Sequence, residues 1–394
     1  MSLVKAPAAS APGRPETAEA SRPAVAQMLR YHRLSSLDPQ RPAAAPARFD
    51  RASEPVPFRR YPGAATLALP LPKGAAGGAP RAAFDLEGVG ELLARSLALV
   101  GWRRVANAGF GMRVAPSAGN LHPTECHLLA AGLEPAGPAA ALYHYSPFDH
   151  ALERRREIPE ALWRRLGAGG GVLVGLTTLA WRSAWKYGER AFRLCDLDAG
   201  HAAAALEASA ALVGWRVRWL DLADRDLEDL LGVGGEGPED ERATCLLAVL
   251  PAGASAIPRP GGAATREIAE LPVDASGPPT PSSVRHREWP GLAEASRAAR
   301  RRSADRAAAA PQETQEAARP WPPSPWPAGV LRERRSRSIF AEEEIDAERA
   351  GRVLAAAGPP RGGVFPWRQG LFTMVLVHRV AGWASGLYLL AEDG

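Results

Sequence analysis

Two stretches of the sequence decide the fold and carry its chemistry: RVAPSAGNLHPTE at residues 113–125 and WRSAWKYGERAFRLCDLD at residues 181–198. In the first, turn-forming residues follow a proline and stand directly before a strand-like segment, which predicts a polar loop. The backbone at Gly119, the hydroxyl of Ser117 and the amide of Asn120 suit a polar ring edge or a phosphate, and Arg113 could add a charge-assisted contact. A plain turn has the same composition, so the residues alone leave both interpretations open.

The second stretch predicts a cationic helix face. Lys186, Arg190 and Arg193 are spaced i, i+4 and i+7, which places them on one side of a helix. A solvated basic face has the same spacing. The helix is predicted over residues 185–213, and Gly188 and Gly200 are expected to mark a break in it or a close approach to another element.

Lysine is rare in this chain, and its placement is informative. It occurs only at Lys5, Lys73 and Lys186, whereas the other 45 basic residues are arginine. Lysine can lose its proton when it is desolvated or lies beside other cations, but arginine in practice cannot. Lys186 is therefore a candidate base, and Tyr187 beside it is a candidate proton donor. His201, alone at a helix start, is interpreted as structural.

The distribution of helices and strands predicts an α+β fold. Residues 87–99 have helical apolar spacing, and strands are predicted at residues 125–131, 141–145 and 172–176. Two more strands are predicted at residues 218–222 and 245–250. Because strands and helices do not alternate strictly, a doubly wound parallel sheet is not expected.

Composition divides the chain into five segments. Two Ala/Pro-rich stretches lack hydrophobic periodicity and are expected to be disordered, since they cannot bury enough apolar surface. The predicted order is a disordered tail at 1–24, an extended arm at 25–82, a compact domain at 83–251, a Pro/Ala/Arg-rich disordered linker at 252–327 and a second ordered region at 328–394.

Several function classes are disfavoured. The net charge is only +5, and the basic run at 297–306 lacks aromatic residues, so nucleic-acid binding is not expected. Cys126, Cys195 and Cys245 have no paired spacing, and no histidine pairs with acids as a metal ligand would, so neither disulfides nor a metal site is expected. No apolar run reaches about 20 residues and the first residues lack a continuous apolar segment, so no signal peptide is expected and a cytoplasmic protein is predicted.

Three motifs in order resemble the SagB/ThcOx-type dehydrogenases of the FMN-dependent nitroreductase superfamily. They are PSAGNLHPTE, ALYHYSPFDHALE at 141–153 and WKYGERAFRLCDLDAGHAAAAL at 185–206, and YHRLSS at 31–36 adds to the likeness. The resemblance implies a nitroreductase-like fold with a mixed or antiparallel sheet flanked by helices, FMN at a dimer interface, and oxidation of thiazoline or oxazoline rings in peptides, often beside a cyclodehydratase. By this match Lys186 and Tyr187 are catalytic, and the residues implied to bind the flavin are Arg113, Ser117, Gly119, Asn120, Arg190 and Arg193.

The sequence departs from the family at the phosphate-binding motif. Nitroreductases commonly open with RRSxR, which the first unit lacks. Arg334, Arg335 and Ser336 match its start, at the head of the second ordered region, and Ser338 stands where an arginine is usual. That region continues into a predicted pair of strands whose sequence resembles residues 128–149. The two sequences are offset by 245 residues, since Leu387 and Tyr388 match Leu142 and Tyr143.

This parallel predicts a tandem nitroreductase whose second copy stops early. The chain is then a fragment of a longer protein, which we expect, or carries a vestigial copy. The flavin site would lie in a homodimer or an intramolecular pseudo-dimer.

Three functions remain open from the sequence. The first is an FMN-dependent dehydrogenase of azoline rings in a peptide or related small molecule. The second is a general NAD(P)H-dependent FMN nitroreductase, which needs no GxGxxG fingerprint. The third is a flavin-free binding or scaffold protein that has lost the cofactor.

Overall fold

The computed structural model describes two compact units, treated separately below. The larger unit comprises the described residues between 23 and 334, and the smaller comprises 3–5 and those between 335 and 390. The described residues are 3–5, 23–36, 38, 40, 43–72, 84–105, 108–134, 137–167, 170–251, 254, 258, 260–273, 278–301, 329–336, 340–357 and 373–390.

The larger unit is built on a seven-stranded sheet in which all neighbouring strands are antiparallel. The strand order is β2-β7-β6-β5-β8-β10-β9. A separate hairpin pairs β3 with β4. The strands are β2 Thr66–Ala68, β3 Leu99–Val105, β4 Ala108–Arg113, β5 Thr124–Ala131, β6 Ala140–Ser146, β7 Ala151–Ile158, β8 Val172–Leu179, β9 Trp215–Leu220 and β10 Glu241–Pro251.

Helices cover both faces of this sheet, which confirms the predicted α+β class. The helices of the larger unit are α1 Pro23–Ser35, α2 Leu86–Ala94, α3 Glu160–Leu166, α4 Ala180–Tyr187, α5 Ala191–Leu212, α6 Asp224–Leu231, α7 Gly262–Ala269, α8 Pro290–Ala298 and α9 Val330–Glu333. Asp85 caps α2 by accepting a hydrogen bond from Gly88 N at 2.6 Å.

The small side chains of α5 allow close packing against α2. Ser209 Oγ donates a hydrogen bond to the Leu92 carbonyl at 2.8 Å, and both side chains are buried. A second apolar layer is formed by leucines of the sheet, such as Leu129 and Leu173, which pack against α6 and α7. Burial of these side chains is the main stabilising contribution to the unit.

The predicted helix over 185–213 is two helices. Gly188, with φ +53°, ends α4, and a 3₁₀ turn at Gly188–Arg190 leads into α5. A Cβ at Gly188 would lie 2.8 Å from Ala45 Cα and 3.0 Å from the Trp289 ring, so this position is also a close approach. A Cβ at Gly200 would meet no described atom within 4 Å, and α5 passes through this position unbroken, so the expectation for Gly200 is wrong.

The predicted arm at 25–82 is extended only in part, because it begins with α1. This helix packs against the core through Tyr31, whose ring meets Phe192 edge-on at 5.6 Å between centroids. Isolated 13-residue helices are marginal in water, so packing rather than local propensity stabilises α1.

The predicted disordered linker at 252–327 is wrong for two segments. Helices α7 and α8 lie within it, and both bury apolar side chains: Ile268 in the core of the sheet, Ala295 against α1. Trp289, just before α8, is buried beside Trp181 and Trp185. Each segment has too few apolar residues for a visible period, but the domain surface supplies the partners. Residues 302–328 lie outside the described residues.

The smaller unit contains a three-stranded antiparallel sheet and one long helix. The strand order is β1-β12-β11, with β1 Leu3–Lys5, β11 Met374–Val377 and β12 Gly386–Leu390, and the helix is α10 Ala347–Ala357. Leu3–Lys5 therefore forms a strand within the predicted tail at 1–24, whereas residues 6–22 lie outside the described residues. Leu387 and Tyr388 lie on β12, and Leu142 and Tyr143 lie on β6.

Among the described residues, no helix is both long and apolar enough to span a bilayer.

Candidate functional site

The loop between β4 and β5 has a strained and tightly held backbone. Residues Ala118–Asn120 form a 3₁₀ turn in which Gly119 has φ +64°, Asn120 φ +61° and the following His122 φ +48°. Positive φ is uncommon for residues other than glycine and marks positions that the surroundings must enforce. Strain of this kind concentrates at functional sites, which makes the loop a candidate.

Asp198 of α5 is the anchor of this loop. Its carboxylate accepts hydrogen bonds from Ser117 Oγ at 2.6 Å and from the Ala118 amide at 3.0 Å. Ser117 Oγ in turn accepts from the His122 amide at 2.9 Å. Burial raises the pKa of Asp198, and the bonds from Ser117 and Ala118 partly counteract that rise. The sequence predicted that the Ser117 hydroxyl contacts a cofactor. In the structure this hydroxyl holds the turn.

Asn120 and His122 fasten the other side of the loop to β4. Asn120 Nδ2 donates to the Gly111 carbonyl at 2.9 Å, and His122 Nε2 lies 3.1 Å from the same carbonyl and 3.0 Å from Asn120 Oδ1. Burial, reinforced by the nearby Arg113, holds the pKa of His122 well below its usual value. The imidazole is therefore neutral at pH 7.

The two predicted motifs meet at Gly119. A Cβ on this glycine would lie 2.6 Å from Tyr187 Oη, 3.1 Å from Lys186 Nζ and 3.2 Å from Lys186 Cδ. Lys186 Nζ also lies 5.6 Å from the centroid of the Tyr187 ring. Gly119 is exposed, and the lysine and tyrosine are half-buried. A loop backbone, an amine and a phenol thus border one accessible patch.

Tyr187 is held in its protonated form. Burial raises the pKa of its phenol, the Asp198 carboxylate raises it further, and Arg190 acts in the opposite direction. A phenol in this state is a hydrogen-bond and proton donor throughout the neutral range.

Arg113 lies behind the loop rather than on its exposed side. Its guanidinium donates to the Thr124 carbonyl at 3.2 Å and to the Pro57 carbonyl at 2.5 Å, and it lies over the Phe58 ring. Burial lowers its pKa to about 10. The side chain therefore joins the arm to the start of β5.

Arg190 and Arg193 point at α1 rather than along a common stripe with Lys186. Arg190 Nε donates to the Ser35 carbonyl at 3.2 Å, and Arg193 contacts Ser35 Oγ and His32 at 3.0–3.3 Å. The break at Gly188 separates Lys186 from both arginines, so the predicted single face does not form. Cations at the carboxyl end of α1 are well placed to interact with its carbonyls.

The head of the RRSxR-like segment lies beside this loop. Arg334, just after α9, donates to the Val114 carbonyl at 3.3 Å. Val114 directly follows Arg113 at the start of the loop. Arg334 therefore lies beside the loop that follows Arg113, although the sequence before this loop contains no RRSxR motif.

Below the loop is a cavity of about 20 Å³, lined by Arg113, Ser117, His122 and Asp198 among others. A space of this size holds about one water molecule. A ring system cannot enter it, so any cofactor at this site must lie on the outer side of Gly119.

A buried ionic cluster underlies the site. Arg182 of α4 donates to Glu125 Oε1 at 2.5 Å and to the His122 carbonyl at 2.8 Å, and His144 lies 3.1 Å from Glu125 Oε2. Burial alone would raise the pKa of Glu125, but Arg182 and then His144 outweigh burial and bring it to about 2. The helix that carries Lys186 is thus tied to the strand that follows the loop.

Asp198, Arg182 and Glu125 belong to the candidate site, but the sequence did not single them out. Asp198 had one readable signal, an acidic residue among the small residues of α5, five residues after Arg193. The pairing of Arg182 with Glu125 had none, because it depends on how β5 and α4 are arranged in three dimensions.

No protein-family model matches the sequence, and no curated protein matches it. Among solved structures, a protein from Anabaena variabilis described as a nitroreductase superposes with a TM-score of 0.61 at 20% identity, over 92% of this chain and 76% of that one. The chain has the nitroreductase fold. This likeness confirms the predicted nitroreductase-like fold.

Two further solved structures match this chain less well. One is the microcin synthetase complex McbBCD from Escherichia coli, with a TM-score of 0.35 at 19% identity over 46% of this chain and 68% of that one. The other is described as a nitroreductase from Ralstonia eutropha, with a TM-score of 0.37 at 18% identity over 51% and 95%. TM-scores of this size carry no argument.

Proposed function

We propose that this chain is an FMN-dependent oxidoreductase that dehydrogenates azoline-type rings in a peptide or a related small substrate. The nitroreductase fold supports a flavin enzyme, and the three motifs of the larger unit resemble the SagB/ThcOx-type dehydrogenases. The observation that carries the proposal is the meeting of Lys186 Nζ and Tyr187 Oη at the exposed backbone of Gly119. The fold brings together two motifs that are far apart in the sequence.

The residues of the loop fit a flat cofactor. Only glycine leaves the backbone open at position 119, since a Cβ would fill the space between the loop and Tyr187. We assign the backbone of Gly119 to the polar edge of the flavin ring and Arg334 to its phosphate. The side chains of Ser117 and Asn120 hold the turn that presents Gly119. The contacts of Arg113, Arg190 and Arg193 favour a role in holding the arm and α1, so we assign no cofactor contact to them.

When bound, FMN supplies the acceptor for a hydride. Dehydrogenation of a C–C or C–N bond also needs a group that takes a proton from the neighbouring atom. Lys186 Nζ is the base in this proposal, or it stabilises the negative charge that develops, and Tyr187 Oη relays the proton. Since burial and Asp198 keep Tyr187 protonated, the phenol takes up the proton from Lys186 only as it passes its own proton on to solvent.

An azoline substrate also implies the reaction that supplies it. Azolines form when a Cys, Ser or Thr side chain closes on the preceding peptide carbonyl with loss of water. A cyclodehydratase is accordingly the partner that we propose for this enzyme, acting immediately before it.

Replacement of Lys186 tests the proposal. In Lys186→Ala, turnover of a synthetic thiazoline peptide should be lost while the absorption spectrum of bound FMN is retained. Lys186→Arg is the matched control, because it keeps a positive charge but cannot give up its proton at neutral pH. If Lys186 is the base, both variants are inactive; if it only stabilises charge, the arginine variant keeps part of the rate. Wild-type turnover in Lys186→Ala contradicts the proposal.

Two measurements on the wild-type protein separate the alternatives. Rapid bleaching of bound flavin by NADH, without turnover of thiazoline peptides, indicates a general NAD(P)H-dependent reductase. A colourless protein that releases no FMN on denaturation indicates a binding or scaffold protein.

A further inference from the structure

A second cavity of about 380 Å³ lies in the larger unit, away from Lys186 and the loop at 117–120. It is bordered by the arm, by the turn after α6 and by a proline-rich segment at 278–281. Its size falls within the range of small-molecule sites in proteins. None of the residues that line it was assigned to the proposed flavin site.

The cavity is preformed, because its outer wall is fixed by hydrogen bonds. Thr280 N donates to the Arg60 carbonyl at 2.8 Å, and Arg60 N donates to Thr280 Oγ1 at 3.0 Å. Ser282 donates to Glu239 Oε1 through its amide at 2.9 Å and through its hydroxyl at 2.6 Å. The proline segment is thus anchored on one side to the arm and on the other to the loop before β10.

Arg155 of β7 is the unusual group in the lining. It is only 9% exposed, and the part of the chain that the structure describes offers its guanidinium no hydrogen bond and no ion pair; Nη1 is buried without a partner. Its contact is with the Tyr61 ring, whose centroid is 3.4 Å from Arg155 Cζ. This stacking fixes the guanidinium in place without neutralising it.

Two other buried arginines of this unit form ion pairs with carboxylates. Arg182 is paired with Glu125, and Arg59, which also lines the cavity, bridges Glu239 at 2.8 Å and Glu241 at 2.5 Å. Burial of a charge is unfavourable, and burial lowers the pKa of Arg155, although Tyr61, Glu241 and Glu153 act in the opposite direction. A buried cation that lines a preformed cavity and forms no ion pair with a carboxylate of the described residues is the arrangement expected for an anion site.

Glu239 and Glu241, which also line the cavity, restrict the charge of a ligand that can bind there. Glu241 accepts bonds from His127 and Thr177 at 2.6 Å as well as from Arg59, and Glu239 accepts from Ser282 and from His286 at 2.7 Å. Their hydrogen bonds are satisfied, but their charges still oppose a polyanion. The rest of the wall that the structure describes carries no charged side chain and is formed by the Tyr61 ring, by the prolines of 278–281 and by residues 232–234.

We infer that this cavity binds a small monocarboxylate with an apolar body. The carboxylate pairs with Arg155, and the apolar body lies against Tyr61 and the proline segment. The two oxygens of a carboxylate can accept parallel hydrogen bonds from the planar N–H donors of a guanidinium, which a monatomic anion cannot do. This site is independent of the proposed flavin chemistry.

Titration with sodium benzoate at fixed ionic strength tests the inference, read by calorimetry and by saturation-transfer NMR of the benzoate ring protons. Wild-type protein should bind one benzoate saturably, and inorganic phosphate at the same concentration should not compete. In Arg155→Met the affinity should fall at least tenfold, and Arg155→Lys should recover part of it. Arg165→Met, which removes an exposed arginine paired with Glu267, is the matched control and should bind as wild type does.

Pro279→Trp provides a second, independent variant, because it fills the cavity from its half-buried wall and leaves Arg155 in place. It should abolish benzoate binding even if Arg155→Met fails to fold. The inference is overturned if wild-type protein shows no saturable benzoate binding, if phosphate competes equally well, or if Pro279→Trp binds benzoate with wild-type affinity.

Discussion

Gly119→Ala isolates the contact between the loop and the Lys186–Tyr187 pair. Two costs follow from the structure. The first is the positive φ of +64°, which costs an alanine about 1–2 kcal/mol. The second is the new methyl group, which would lie 2.6 Å from Tyr187 Oη and 3.1 Å from Lys186 Nζ. Both neighbours are the ends of flexible side chains, so they move aside and add little to the loss of stability.

The loss of activity should therefore be much larger than the loss of stability. Displacement of catalytic groups by about 1 Å can reduce a rate about 10²-fold, and we expect this reduction in Gly119→Ala. Gly132→Ala is the matched control, because Gly132 has φ +66° but a Cβ there would meet no described atom within 4 Å. The assay is urea unfolding and thiazoline-peptide turnover on both variants. Equal turnover in the two variants would refute the reasoning, since it would mean that the contact at Gly119 has no influence on the site.

Further expectations concern the groups around this contact. Tyr187→Phe removes the proton donor and should lower turnover about 10²–10⁴-fold with FMN still bound, as measured by steady-state kinetics; an unchanged rate would exclude the phenol from catalysis. Asp198→Asn removes the carboxylate that raises the pKa of Tyr187, so the alkaline limb of the turnover–pH profile should shift to lower pH; a shift to higher pH would contradict this. Glu125→Gln leaves Arg182 buried without its carboxylate and should cost about 3–5 kcal/mol of unfolding free energy in urea at pH 7. Since the pKa of Glu125 is lowered to about 2, its contribution to stability is present above its usual value of 4.5 and is lost as pH falls from there toward 2. Glu125→Gln should flatten that part of the wild-type stability profile, and an unaltered slope would contradict the assignment.

The sequence predicted the fold class because the strands β5, β6, β8 and β10 are strongly apolar and carry that pattern locally. It also marked Lys186, since lysine is so rare in this chain. It predicted a break or a close approach at Gly188, but not the separate directions of Lys186 and Arg193, because the geometry of that break is imposed by the neighbours of this glycine. Ala45 and Trp289 approach this glycine from distant parts of the chain, and no local pattern reports them.

Helices α7 and α8 were missed for a related reason. Alone they are only eight and nine residues long and lie in Pro/Ala/Arg-rich sequence, so composition predicts disorder. In the structure, burial of side chains such as Ile268 and Ala295 on a preformed surface supplies the free energy that local propensity lacks. The pairing of Glu125 with Arg182 likewise depends on strand and helix placement, which residue composition does not encode.

The turn after Tyr187 gathers contacts from three distant segments. Tyr31 Oη donates to the Glu189 carbonyl at 2.7 Å, the Glu189 amide donates to the Ala44 carbonyl at 2.9 Å, and the Gly291 amide donates to Glu189 Oε1 at 3.3 Å. The order of events during synthesis follows from this arrangement. Chains grow from the amino terminus, so the sheet can assemble long before residue 291 has left the ribosome. The turn after Tyr187 is then completed after the sheet, by a segment that the composition alone marks as a linker.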